Sequence, residues 1–153
     1  VELGEEVLME SVGDILEEKG HEVHAIAPQA TVLEAVEIMC AHRVGALLVA
    51  TSTATYGIIS ERDVMTRVIL ERRDPAGTRV HEVMTHAVAC VRPSTGAREA
   101  MAVMTERRCR HLPVVADGGI VGMVSIGDLV RAASREQEFQ IRMLTEYVHG
   151  GYG

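Results

Sequence analysis

The chain has 153 residues, of which 47% are hydrophobic, 24% charged and only 3% aromatic, with a formal net charge of −7. That length suits one compact domain or two small halves sharing a core, and the core must be built from Val, Ile, Leu, Met and Ala. The acidic balance excludes general nucleic-acid binding, which needs a basic face. No apolar run approaches the roughly 20 residues of a membrane span. The acidic start Val1-Glu2-Leu3-Gly4-Glu5-Glu6 is unlike a signal peptide. Cys40, Cys90 and Cys109 form no Cys-x-x-Cys. Buried free thiols in a reducing compartment, hence a soluble cytoplasmic protein, are the expectation.

Residues 1–11 read as an acidic N-terminal arm. Val12, Ile15 and Leu16 begin a short amphipathic helix closed by Lys19-Gly20, with glycine as the C-cap. His24-Ala25-Ile26-Ala27 is a short strand ending at Pro28. Thr31 caps a helix with Glu34 three residues on, and Val32, Ala35, Val36, Met39 and Cys40 form its apolar stripe. Ala46-Leu47-Leu48-Val49-Ala50 is a buried strand and Tyr56 to Ile59 the next. A helix then runs from Glu61 to about Glu71 on Val64, Val68 and Ile69. Residues 72–79, with Pro75 and Gly77, are a linker.

The series then returns. Val80, Val83 and Met84 answer Val12, Ile15 and Leu16, and Ala89-Cys90-Val91 answers the strand before Pro28. From Pro28 and Pro93 onward the offset is a constant 65 residues, pairing Glu34 with Glu99, Met39 with Met104, Leu47 with Leu112 and Val49 with Val114. An unbroken register across a helix, two strands and a second helix marks a duplicated unit. Each copy reads helix–strand–helix–strand–strand–helix, an α/β (α+β) arrangement of two three-stranded sheets with packed helices, related by a pseudo-two-fold axis. The divisions are a first repeat at 12–71, the linker at 72–79, a second repeat at 80–135, and a helical extension and tail at 136–153. On the extension Leu129, Val130 and Ala133 lead into a narrow stripe, Ile141, Leu144 and Val148, suited either to a subunit contact or to folding back on its own chain.

The most specific stretch of the repeat is Gly57-Ile58-Ile59-Ser60-Glu61-Arg62-Asp63, repeated as Gly122-Met123-Val124-Ser125-Ile126-Gly127-Asp128. A strand running directly into a helix offers unpaired backbone N–H groups, with Ser and Asp projecting from the same turn, which suits an anion or a sugar. Ser-x-x-Asp at a helix start is equally a capping-box pattern. Both readings stand on the motif alone.

These repeats, with Arg110-His111-Leu112-Pro113-Val114-Val115, resemble the tandem CBS (cystathionine β-synthase) domain pair, or Bateman module, from about Val12 to Ala133. The resemblance implies a regulatory module that binds AMP, ADP, ATP, NAD(H) or S-adenosylmethionine in clefts between the repeats and commonly forms a homodimer. The ending, Glu136-Gln137-Glu138-Phe139 through Tyr147-Val148-His149-Gly150-Gly151-Tyr152, is similar to the tails of small stand-alone pairs from bacteria and plant organelles, some of them regarded as thioredoxin modulators.

By that resemblance Asp63 and Asp128 would each accept hydrogen bonds from ribose hydroxyls, and Ser60 and Ser125 would bond ribose or phosphate. Arg62, Arg110 and His111 would face phosphate. Ile26, Ala27, Val91 and Arg92 would line the adenine slot. The copies differ: Gly45-Ala46 stands where the second has Arg110-His111, and Gly127 where the first has Arg62. The Asp128 site is therefore expected to favour AMP-like ligands.

No catalytic motif is present, neither Gly-x-Ser-x-Gly, Walker A, His-Glu-x-x-His nor a zinc-spaced Cys/His set. The expectation is no enzyme, no metal and no membrane partner. A metal at His21 and His24 would need the strand to bring the two together, and Met39, Met101 and Met104 read as core. The leading expectation is a sensor of adenosine-containing ligands that modulates an unidentified protein. The alternative is a protein-interaction or oligomerisation subunit with vestigial ligand sites.

Overall fold

A computed structural model describes residues 10–86 and 88–150, with the side chains of 149 and 150 left out of account. The N-terminal arm at 1–9 and the end of the tail at 151–153 lie outside the described residues. Among the described residues six helices and two small sheets follow one another in the order α1 (Val12–Lys19), β1 (Ala25–Ile26), α2 (Val32–His42), β2 (Ala46–Ala50), β3 (Thr55–Ser60), α3 (Glu61–Val64), α4 (Val80–Val83), α5 (Ala97–Arg107), β4 (His111–Ala116), β5 (Gly119–Ser125) and α6 (Ile126–Gly150).

The chain divides into two compact units, and the division does not follow the sequence repeats. One unit is Val23–Val88; the other joins the residues up to Glu22 to those from Ala89 onward. The leading helix of each repeat has been exchanged. Val12, Ile15 and Leu16 of α1 are buried with Ala100, Met104, Leu112, Val114, Val124 and Leu129 of the second repeat. Val80, Val83 and Met84 of α4 are buried with Val32, Ala35, Met39, Leu47, Val49, Ile59 and Val68 of the first.

Backbone bonds at helix starts fix both exchanges. Ser11, the cap of α1, bridges Gly96, the cap of α5, while Thr31, the cap of α2, bridges Arg79, the cap of α4. Amides that a helix start would otherwise leave unpaired are thereby satisfied, as when Val12 N–H donates to the Thr95 carbonyl at 2.8 Å and Val80 N–H to that of Ala30 at 2.8 Å. The linker is part of this seam. Buried Thr78 donates its hydroxyl to the Asp74 carbonyl, and its own carbonyl accepts from the Val32 N–H.

In the unit formed by Val23–Val88, β1 runs parallel and β3 antiparallel to the central β2. Among the described residues the second sheet holds β4 and β5 alone. The third strand expected at Ala89-Cys90-Val91 is reduced to a single parallel bridge between Val91 and Val114.

Three further expectations are corrected. The helix after Glu61 keeps α-helical bonding for one turn and then widens, with Met65–Ile69 in π-helical geometry and bonds five residues apart from Leu70 N–H to Met65 and from Arg73 N–H to Val68. In that helix Val68 is buried and Ile69 is exposed; in α6 Leu129 and Ala132 are buried and Val130 is exposed. Adjacent residues diverge by about 100° around a helix, so one of each pair must leave the stripe. For the same reason Cys40 is exposed beside buried Met39, while in the extended backbone before Pro93 side chains alternate between faces, leaving Cys90 exposed beside buried Val91. Cys109 is half-buried, and burial pushes its thiol up.

Candidate functional site

Both copies of the motif place their serine at the last residue of a strand and their aspartate in the first turn of the following helix. In the first copy Ser60 is the N-cap of α3. Its hydroxyl accepts from the Asp63 N–H at 3.3 Å, and Asp63 Oδ2 accepts from the Ser60 N–H at 3.0 Å. In the second, Ser125 Oγ accepts from the Asp128 N–H at 3.2 Å, and Asp128 Oδ2 accepts from the Ser125 N–H at 2.8 Å. These are reciprocal capping boxes, as the motif allows. They also fix the rotamer of two carboxylates that are buried, Asp63 at 7% and Asp128 at 6% relative exposure.

The glycine three residues before each serine has a steric reason. A Cβ at Gly57 would overlap the Thr85 carbonyl oxygen, because Ile58 and Thr85 exchange backbone bonds there at 3.0 and 2.8 Å. A Cβ at Gly122 would stand 2.7 Å from both methyl carbons of Leu16 on α1. Each motif glycine admits the exchanged segment that completes its unit.

The remaining lone pairs of the two carboxylates are used differently. Asp63 Oδ2 also accepts the Ser60 hydroxyl at 3.2 Å, and Oδ1 accepts the Thr85 hydroxyl at 3.1 Å. The nearest cation is Arg67, 3.9 Å away, whose guanidinium instead donates to the carbonyls of Val83 and Met84. Asp128 accepts the Lys19 ammonium on Oδ2 at 2.7 Å and the Arg131 guanidinium on Oδ1 at 2.5 Å. Lys19 Nζ also donates to the Met123 carbonyl at 2.9 Å. Burial opposes the charge on Asp128, but the Lys19 and Ser125 hydrogen bonds and the Lys19 charge outweigh it and hold the carboxyl below the usual aspartate range.

The other expected site residues fall around these turns unevenly. Ala46 lies opposite Ser60 in the first sheet and His111 opposite Ser125 in the second. The carbonyls of Gly45 and Arg110 play matching parts, accepting from Glu61 N–H at 2.9 Å and Ile126 N–H at 2.8 Å. His111 is half-buried, whereas Arg62 and Arg110 are exposed. Ile26 and Val91 send their side chains into the two cores, leaving only their backbone to meet anything outside, while Ala27 and Arg92 are exposed. Two cations beside Asp128, Lys19 and Arg131, are absent from the sequence-based expectation. Lys19 lies 109 residues from its partner, so nothing in local spacing points to it. Arg131, three residues after Asp128, is at ordinary helical pairing distance and is legible from spacing.

His21 and His24 have different partners. His21 bonds the Val121 carbonyl and Glu17, which raise its pKa above 6.5, whereas His24 stacks on His42 with ring centroids 4.0 Å apart. Among the described residues no group of three or more His, Cys, Asp or Glu side chains could hold a metal ion, and no helix is long and apolar enough to cross a membrane.

Comparison with known proteins agrees with the repeat and the fold. The CBS domain family model matches residues 12–70 and 80–135. The mitochondrial CBS domain-containing protein CBSX3 of Arabidopsis thaliana is 38% identical over 151 residues, covering 93% of this chain and 73% of its own. The protein YhcV of Bacillus subtilis is 32% identical over 108 residues, covering 71% of this chain and 76% of its own. The crystal structure of the CBS domain NE2398 superposes with a TM-score of 0.78 at 43% identity, covering 82% of this chain and 98% of that one. With two matched repeats over most of its length, the chain belongs to the CBS domain family as a tandem pair.

Proposed function

We propose that this CBS-domain pair is a regulatory sensor that binds an adenosine-containing ligand, AMP or another adenine nucleotide or NAD(H), at the Asp63 and Asp128 turns and modulates a partner protein. The observation that carries the reading is the pair of buried carboxylates, each held by its serine at a strand-to-helix turn. A fixed, acceptor-only carboxylate can take two neighbouring ribose hydroxyls together. Ser60 and Ser125 supply a second polar contact at each turn, and Arg62, Arg110 and His111 supply donors for phosphate. The backbone of Ile26, Ala27, Val91 and Arg92 would meet the adenine. CBS-domain proteins are generally regulatory, which agrees with a binding rather than a catalytic role.

Thermal shift against adenosine, AMP, ADP, ATP, NAD+ and S-adenosylmethionine tests this directly. Ligand at 100 times its Kd stabilises the fold by about 2.7 kcal/mol. No shift with any of them at millimolar concentration would overturn the sensor reading.

A second reading, an interaction or oligomerisation subunit such as a thioredoxin modulator, is favoured by the far half of α6, where Ile141, Leu144, Tyr147 and Val148 are exposed. This stripe supports a homodimer built through α6. Truncation after Arg135 then lowers the dimer population in sedimentation; an unchanged dimer would move the contact to the repeat helices. The sequence has no Cys-x-x-Cys among its three cysteines, which favours a reducing compartment, and we place the protein in the cytoplasm, although its Arabidopsis relative is mitochondrial.

A further inference from the structure

Three of the roughly four acceptor sites of the Asp128 carboxylate are taken by groups of its own chain. Oδ2 accepts the Lys19 ammonium at 2.7 Å and the Ser125 amide at 2.8 Å, and Oδ1 accepts the Arg131 guanidinium at 2.5 Å. Two neighbouring ribose hydroxyls need two such sites, so at Asp128 they displace a cation unless the Ser125 cap breaks, whereas at Asp63 they displace a hydroxyl of Ser60 or Thr85. Arg131 is the more exposed of the two cations, at 65%, but only release of Lys19 opens a site on each carboxylate oxygen for two neighbouring hydroxyls, and Lys19 can move. It is the last residue of α1, its side chain is 37% exposed, and its flexible stem carries a compact charge that can swing without moving the helix. A displaced ammonium beside a buried carboxylate needs another anion, and adenosine offers none. A nucleotide offers its phosphate.

We propose that Lys19 is a specificity-determining residue of the Asp128 turn: it pairs with Asp128 in the unliganded protein and transfers to the ligand phosphate on binding, so that the turn selects adenine nucleotides over adenosine. The proposal rests on the nucleotide-binding reading above and adds to it the residue that sets phosphate selectivity. It also gives α1 a part in sensing, because that helix belongs to the first repeat in sequence and to the second in packing.

The test is calorimetric titration of AMP and of adenosine into the wild type, Lys19→Met and Lys19→Arg at low salt. Asp63→Asn is carried in parallel to isolate the Asp128 turn. Met keeps the length of the side chain, and Arg131 and the Ser125 amide keep Asp128 paired, so Lys19→Met is expected to fold; its ligand-free melting curve checks this. Adenosine should bind Lys19→Met about three- to tenfold more tightly than it binds the wild type, from release of a part-exposed ion pair. AMP should bind that variant more weakly, collapsing the AMP-to-adenosine ratio. Lys19→Arg, which keeps the charge, should restore the ratio. Equal changes for both ligands, or none, would overturn the role of Lys19 while leaving the site reading intact. Absence of binding by both ligands to all three proteins would overturn the site reading, and this proposal with it.

Discussion

Asp63 sits among neutral hydroxyls from Ser60 and Thr85, with Arg67 at 3.9 Å. Asp128 sits between Lys19 at 2.7 Å and Arg131 at 2.5 Å. The two share a motif, a reciprocal serine cap and almost the same burial, so the motif does not decide their electrostatics. The exchanged segments do, together with Arg131 of α6 itself. The stretch just after α4 brings Thr85 to the first turn, and the last residue of α1 brings Lys19 to the second. A duplicated sequence thus acquires two electrostatically unequal turns, through the segments that its repeats trade and through Arg131, which stands where the first copy has Thr66.

The largest effects come from filling the space that each motif glycine leaves for the exchanged segment. Gly57→Ala should destabilise by about 3 kcal/mol or more, since its Cβ meets backbone that carries two bridging bonds and cannot yield cheaply. Gly122→Ala meets only the methyl ends of Leu16 and should cost about 1–3 kcal/mol. Chemical denaturation of both variants measures the difference. Equal costs would mean that the two seams are mechanically alike.

Removing the partner from each carboxylate comes next. Thr85→Val should cost about 1 kcal/mol, with little dependence on salt. Lys19→Met should cost about 0.5–1 kcal/mol at low ionic strength and less as salt rises, because its pair is part-exposed. Melting temperatures across a salt series separate the two behaviours, and a salt-independent Lys19 cost would remove the electrostatic half of the contrast.

How far the fold and the sites are legible in the sequence varies by residue. The constant offset reveals the duplication, the Ser-x-x-Asp spacing reveals both caps, and Gly20 marks the end of α1, where it sits at φ +105°. The destination of α1 is not legible, because Val12-x-x-Ile15-Leu16 fits either core equally well and only the tertiary fold chooses between them. The π-helical turn at Met65–Ile69 leaves no local signature either. Val130 and Ile69 look like core in the sequence because each adjoins a residue that is, and the helix rotates them into solvent. Nothing local ties Lys19 to Asp128 across 109 residues, so that pair is not legible in the sequence.

Titration sharpens the contrast further. The lowered pKa of Asp128 stabilises the fold above the unfolded aspartate value of about 3.9, and that contribution is lost as pH falls through the folded value. Asp128→Asn should therefore be less stable than the wild type near pH 7, and the gap should close below about pH 4. A smaller effect with the opposite sign belongs to His21, whose pKa is raised by the Val121 carbonyl and Glu17. Its contribution is complete below 6.5 and fades as pH rises through the folded value, so His21→Gln should cost more at low pH than at high pH. Thermal melts across pH check both, and a gap independent of pH would contradict either assignment.

The central claim is that both aspartates hold ribose as well as capping a helix. Calorimetric titration of AMP into Asp63→Ala and Asp128→Ala beside the wild type tests it most directly. Each substitution should weaken binding at its own turn by about 1.5–3 kcal/mol, the loss of hydrogen bonds to a charged acceptor. The wild type should favour the Asp128 turn. Unchanged AMP affinity in both variants, with only the about 0.5–1 kcal/mol of stability owed to an acid at a helix start, would return both residues to capping alone.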